Sequence, residues 1–317
     1  MHSNTGYTEF DSIITADGQE YRLHDKFRKF ILSTSGEGHP SISYITQRGP
    51  NQHGSTIVDY RLDERLIQLV MVVTAKNRYD YWDNRAWLLD ILRPNRDVTT
   101  ESITLAKLRK YYSNGKKRQI DVVVEAGPIF QPRNPQDHNE YALQESIRFL
   151  APDPIYYDPT QVCLQWTLVG SQQLVFPITF SDAGLSNHGI VFGSQVLSES
   201  LDVVYEGTWE TFPTISITGP INGVEIYNDT TGKRLKLNYN IPGGKVVTIN
   251  TQYGNKTIQD DLGTNLIGVI DSPIDLTTFK ISPGAGATRT NTLRVVGSGA
   301  NADTAVEIAY YTKYFGI

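Results

Sequence analysis

The sequence predicts a mainly β protein with one α-helix: an N-terminal β-sandwich-like domain followed by a C-terminal β-sandwich of jelly-roll type. Three observations carry this. Strand-like runs bounded by Gly, Asn, Asp and Pro fill most of the 317 residues. One segment alone has helical spacing. Beyond residue 160, turn signals recur about every eight to twelve residues, the rhythm of a sandwich.

The elements follow in chain order. FDSIITADGQEYRL (10–23) reads as two short strands around Asp17-Gly18, a pair suited to a two-residue hairpin turn. RGPNQHGSTIVDYRLDERLIQLVMVV (48–73) begins with a Gly/Pro/Asn-rich corner, enters a strand, breaks at Asp63-Glu64-Arg65 and resumes. LIQLVMVVTA (66–75) is apolar apart from Gln68, as in a strand covered on both faces. In YDYWDNRAWLLDILRP (79–94), Trp82, Arg85, Ala86, Leu89 and Leu92 share a helical stripe that Leu88 and Ile91 widen. Asp80 is the expected N-cap and Pro94 the stop. LAKLRKYYSNGKKRQIDVVVEAG (105–127) is a hairpin whose Asn114-Gly115 pair suits a type I′ turn. FLAPDPIYYDPTQ (149–161), stiffened by its prolines, reads as a semi-rigid linker or domain edge. Two domains result, 1–155 and 156–317.

Charge supports that division. Residues 1–160 hold 20 Lys+Arg against 21 Asp+Glu, whereas 161–317 hold 9 against 13. The overall charge of −5 argues against a general nucleic-acid binder. Cys163 is the single cysteine, which excludes an intrachain disulfide and a cysteine-built metal site. No secretory signal and no apolar run long enough to span a bilayer is visible. The expectation is synthesis and folding in a cytoplasm.

Arg48, His53, Asp59, Asp63, Glu64 and Arg65 together look like the makings of an active site, but a local turn and ion pair suffice to explain the acids at the strand entry. The basic run Lys107, Arg109, Lys110, Lys116, Lys117 and Arg118 could suit nucleic acid, yet strand alternation divides it between two faces. Such lysines also guard strand edges. The histidines lack metal-ligand spacing, and no phosphate loop or nucleophile elbow occurs. Glu206 and Glu210 flank Trp209, so a glycan hydrolase working through paired carboxylates is one reading. Carbohydrate binding is another, with Trp166, Trp209, Tyr227, Tyr239 and Tyr253 as stacking residues.

The long stretch from Gln47 to Pro94 resembles the N-terminal domain of the distal tail (Dit) proteins of long-tailed, non-contractile phages. The resemblance rests on Arg48, Pro50, Gly54, Arg65, the apolar strand 66–75, the helix near 80–92 and Pro94. EGTWETFPTISITGPINGVEIYNDTTGKRLKLNYNIPGGKVVTINT (206–251) resembles the galectin-like domain that many of them append, through Gly207, Thr208, Pro213, Gly219, Asn228, Gly232 and Gly243. A Pro283-Gly284 turn follows, lengthened here before Asn291.

The resemblance implies a virion structural protein, not an enzyme, with no cofactor or metal. It implies a homo-hexameric ring at the tail tip, joined to the tail tube protein and to the tail-associated hub protein. DNA would pass through its lumen without specific binding. The C-terminal domain would point outward toward receptor-binding or adsorption proteins, with no membrane partner. Under it, Arg48, His53, Asp63, Glu64, Arg65, Lys107, Arg109, Lys110, Lys116, Lys117 and Arg118 are expected at ring interfaces. Sugar binding by the C-terminal domain and glycan hydrolysis are the alternatives.

Overall fold

A computed structural model describes residues 9–24, 29–94, 103–130, 142–167, 196–272, 274–284 and 289–317. The chain forms two compact units, Met1–Pro159 with Lys313–Ile317, and Thr160–Thr312. No helix among the described residues is long and apolar enough to cross a membrane.

The first unit runs β1 (Phe10–Ile14), β2 (Glu20–Arg22), β3 (Lys29–Ser35), β4 (Ile42–Gln47), β5 (Thr56–Leu62), β6 (Arg65–Thr74), α1 (Arg78–Ile91), β7 (Ala106–Tyr111), β8 (Lys117–Ala126) and β9 (Ala142–Ala151). Strand β10 (Tyr156–Thr167) begins in this unit. β2, β1, β7 and β8 pair in that order, and β8, β9, β6 and β3 continue the antiparallel sequence. The two ends of β8 serve different partners: Lys117–Val122 face β7, and Val123–Ala126 face β9 through a bulge. That switch curls the sheet around one core, built from Ile13, Ile67, Met71, Ile120, Phe149 and their neighbours.

Both predicted hairpins form, but with different turns. Gly115 N–H bonds to Tyr112 O at 3.0 Å and Tyr112 N–H to Lys116 O at 3.0 Å, leaving three loop residues. Gly115 takes φ 81°, while Asn114 is not left-handed. The Thr15–Gln19 turn repeats the pattern, with Gly18 at φ 83°. These are three-residue loops in which a glycine alone supplies the positive φ, not the two-residue turns the sequence suggested.

The helix is where expected, but its cap and buried stripe differ. Asn77 is the N-cap, its Oδ1 accepting from Tyr79 N–H (2.9 Å) and Asp80 N–H (3.0 Å). Asp80 lies within the first turn, where its charge suits the helix dipole. Leu88, Ile91 and Leu92 enter the core, whereas Tyr79, Trp82 and Leu89 remain exposed. Strand β6 is likewise covered on one face only: Ile67, Leu69, Met71 and Val73 are buried, and the residues between them are not. In the 149–161 stretch Pro154 and Ile155, in the turn between β9 and β10, and Tyr156, which opens β10, are buried.

The second unit contains β11 (Val196–Val204), β12 (Thr214–Thr218), β13 (Ile221–Asn228), β14 (Lys233–Lys236), β15 (Asn240–Ile241), β16 (Val246–Asn250), β17 (Thr257–Asp260), β18 (Thr290–Ser298) and β19 (Ala305–Tyr314), the last of which ends in the first unit. One sheet orders β17–β16–β12–β19; the other orders β11–β18–β13–β14, with β15 beside β13. Alternate residues of both converge on one core: Ile215, Ile249 and Ile308 from the first, Ile226, Leu235 and Val295 from the second. This is the β-sandwich the turn spacing predicted. Gly219 has to be glycine, since a Cβ there would lie 2.2 Å from Pro242 O.

Candidate functional site

Arg65 opens β6 and is 2% exposed. Its Nε donates to Pro154 O (2.8 Å), Nη1 to Gly36 O (2.9 Å) and Gly38 O (2.6 Å), and Nη2 to Phe315 O (2.7 Å). The Tyr156 ring lies beneath the guanidinium, and burial lowers the Arg65 pKa. Gly36 allows this approach: it has φ 86°, and a Cβ would strike Leu66 O. Arg65 therefore staples three backbone segments from inside. The structure removes it from the set expected at an interface, because no donor faces outward.

The basic hairpin is also largely committed. Lys107 Nζ reaches Asp121 Oδ1 (2.9 Å) and the Tyr157 hydroxyl (3.0 Å). Arg109 binds Gln119 Oε1 and Glu20 Oε2, the latter at 3.1 Å. Lys110 Nζ lies 2.7 Å from Glu37 Oε2. Arg118 covers the Tyr314 ring at 3.9 Å and donates to Gly316 O. Lys117 lies over Tyr111, and the exposed Lys116 holds the Asn114 carboxamide through its backbone N–H. Charges that look like a patch in one dimension are mostly internal partners in three.

The 48–65 corner is the tip and base of a two-stranded ribbon. β4 and β5 pair with each other and, among the described residues, with no other strand. Gln52 knots the tip: its N–H reaches Gly49 O, its Oε1 accepts from Gly49 N–H, and its Nε2 reaches Thr56 Oγ1. Arg48 Nε donates to Gln52 O, and His53 is exposed beside it. At the base Asp63 accepts from Ser43 Oγ (2.7 Å), and Glu64 is exposed.

Large apolar side chains are also exposed on this unit. Tyr44 (57%), Ile57 (61%) and Tyr60 (49%) are exposed on the ribbon, and Tyr79 (83%), Trp82 and Leu89 on α1. Sequence reasoning singled out the charged residues at the ribbon's tip and base but missed its apolar face. Its signal was the period-two pairs Ile42/Tyr44 and Tyr60/Leu62.

In the second unit the five stacking candidates do not form a platform. Trp166 is buried, which corrects its assignment as a stacking residue. Tyr239 packs against the core, Tyr227 lies under Arg294 at 4.1 Å, and Trp209 is half-buried with its carbonyl accepting from the Tyr205 hydroxyl. Tyr253 is 71% exposed and sits edge-on to Phe212. Glu210 is paired with Lys280 at 2.5 Å. Among the described residues no group of three or more His, Cys, Asp or Glu is placed to hold a metal.

Two family models match the chain. A phage tail protein RIFT-related domain matches residues 16–150, and the C-terminal domain of a siphovirus-type tail component matches residues 206–314. No curated protein matches it by sequence. The crystal structure of SPP1 Dit (gp 19.1), described as a paradigm of the hub adsorption apparatus in phages infecting Gram-positive bacteria, superposes with a TM-score of 0.59 at 14% identity, covering 96% of this chain and 98% of that one. A chain of the phage P2 baseplate in its activated conformation with Ca aligns more loosely, with a TM-score of 0.44 at 10% identity over 95% of this chain and 97% of that one. Each half thus matches a phage-tail model, and the order of a curled sheet with one helix followed by a sandwich is the fold of SPP1 Dit. The chain belongs to the siphophage distal tail protein family and is a structural component of the phage tail.

Proposed function

We propose that the first unit assembles copies of this chain into a ring, six by analogy with the family, which joins the tail tube to the hub and lets DNA pass. The second unit presents a surface to adsorption proteins. The supporting observation is the distribution of exposed apolar side chains. Of the eighteen large hydrophobics exposed among the described residues, twelve lie in the first unit and six in the second. Contiguous exposed apolar side chains mark an association surface, and the register of β4 and β5 gathers Tyr44, Ile57 and Tyr60 on one face. A lumen that carries DNA without gripping it needs no basic excess, and the near-equal counts in residues 1–160 meet that condition.

The test is the solution mass by light scattering across a concentration series, with negative-stain imaging. A six-fold mass with visible rings supports the reading. A monomer at every concentration, unchanged when the hub protein is added, overturns it.

A further inference from the structure

The two sheets of the second unit use their outer faces differently. On the β11–β18–β13–β14 sheet the outward polar side chains bind one another. Thr292 Oγ1 donates to Asp202 Oδ1 (2.6 Å), and Arg294 holds Asp229 through Nε (2.9 Å) and Nη2 (3.0 Å). Glu225 takes both the Tyr227 hydroxyl and the Lys236 ammonium, the latter at 3.0 Å. That face is closed by its own partners.

The outer face of the β17–β16–β12–β19 sheet is open by comparison. Ile215, Ile217, Val247 and Ile249 point to the core, and the half-exposed residues between them point out. The register sets Ser216 beside Thr248, with Gln259 of β17 next to Thr248 and Glu307 of β19 on the other side of Ser216. One row therefore crosses four strands, Glu307, Ser216, Thr248 and Gln259, at the strand spacing of about 4.8 Å. Among the described residues, the side chains of these four make no hydrogen bond and no ion pair. Strand β10 widens the face with Gln161, Cys163 and Gln165, which are exposed while Val162 and Leu164 pack on the core. Among the described outward positions of these five strands in the second unit, Glu307 alone is charged.

We propose that this face binds a neutral polysaccharide of the host surface. The hydroxyl and carboxamide groups of the row meet sugar hydroxyls, and Glu307 accepts from an adjacent pair of them. Hydroxyls and carboxamides both donate and accept, as a sugar hydroxyl does. A carboxylate adds two acceptor oxygens and stronger, charge-assisted bonds. Other occupants fit less well. An anionic polymer would meet Glu307 and no cation on these strands. A protein partner needs an apolar centre to its contact, and none of the large hydrophobics exposed in this unit lies on β10, β12, β16, β17 or β19. The aromatic residues weighed for stacking in the sequence play no part. The inference stands apart from the ring reading, because a single copy carries the whole face.

Affinity electrophoresis of the full-length chain tests it, in gels containing dextran, galactomannan or β-glucan, with polygalacturonate as the anionic control. At least one neutral polymer should retard the protein, and polygalacturonate should not. Ser216→Ala combined with Thr248→Val should weaken the retarding interaction about tenfold, and Glu307→Gln alone should weaken it several-fold. A polyethylene glycol maleimide coupled to Cys163 should block it. Thr292→Val, on the opposite sheet, should leave it unchanged. Circular dichroism and thermal unfolding check that each variant is folded. No retardation by any of the three neutral polymers overturns the proposal. So does retardation that survives both the double substitution and Glu307→Gln, or that is lost with Thr292→Val in a folded protein. Capture of another tail protein through this row, with no polymer retained, also overturns it.

Discussion

The ammonium of Lys110 lies 2.7 Å from Glu37 and 4.0 Å from Asp11, so one cation serves two carboxylates under the β1–β7 pair. The two acids are not equivalent. Burial pushes the Asp11 carboxyl up to about 6; Lys110 and His24 lower it, while Glu37 and Glu9 raise it further. Burial opposes the Lys110 charge, but the Glu37 hydrogen bond and the Asp11 charge outweigh it and the net direction is up.

The sign for stability follows from the Asp11 shift. Its folded pKa of about 6 exceeds the unfolded value of 3.8, so the folded state holds the proton more tightly. The stabilisation is full below the unfolded value and is lost as pH rises through about 6. Asp11→Asn, a neutral isostere, should raise stability at pH 8 by up to about 3 kcal/mol and flatten the decline between pH 4 and 6. Denaturant midpoints of both proteins across that range measure it. No gain at pH 8 would mean that the Lys110 attraction outweighs burial.

Arg65 gives the largest expected loss. Substituting Met removes the donors to four backbone carbonyls and leaves those acceptors inside. The expected cost is about 3–5 kcal/mol. Arg65→Lys should recover only part, because an ammonium has no fork to span them. Chemical denaturation of the full chain decides it, and a change below about 0.5 kcal/mol would show that water replaces the guanidinium.

In the second unit, Asn291 is fully buried, its amide donating to Ser282 O (2.8 Å) and its Oδ1 accepting from Ser282 N–H (3.2 Å). Asn228 beside it donates to Lys280 O at 2.8 Å. Asn291→Leu keeps the branched shape but adds bulk, and strands both Ser282 groups, for a loss of about 2–4 kcal/mol. Thermal unfolding should show that loss in the transition of the second unit.

Asn77→Ala removes the two bonds at the start of α1 and should cost about 1 kcal/mol, whereas Asp80→Ala should cost less, about 0.3–1 kcal/mol. A larger loss from Asp80→Ala than from Asn77→Ala would return the cap to Asp80. Paired denaturant titrations separate the two.

What was legible in the sequence was local. The hairpins at Gly18 and Gly115, the helix ended by Pro94, and the sandwich rhythm each follow from residues adjacent in the chain. The turn types were misread because Asn-Gly and Asp-Gly also suit a three-residue loop, in which only the glycine turns left-handed. The basic hairpin looked like a surface because its partners Glu20, Glu37 and Tyr314 are remote in sequence. The ribbon's apolar face escaped notice because it is assembled from two strands, and only their register places Tyr44 beside Tyr60.

Residues Lys313–Ile317 complete the first unit, and Thr160–Thr312 stands between two parts of it. The second unit is therefore spliced into the first at both ends. A stop codon after Pro159 would delete more than the sandwich, taking with it the Phe315 carbonyl that Arg65 holds and the Tyr314 ring beneath Arg118. Swapping the sandwich for another module requires two joints and the retained tail. A mechanical load applied to the sandwich would be shared by two covalent strands, both anchored in the same unit.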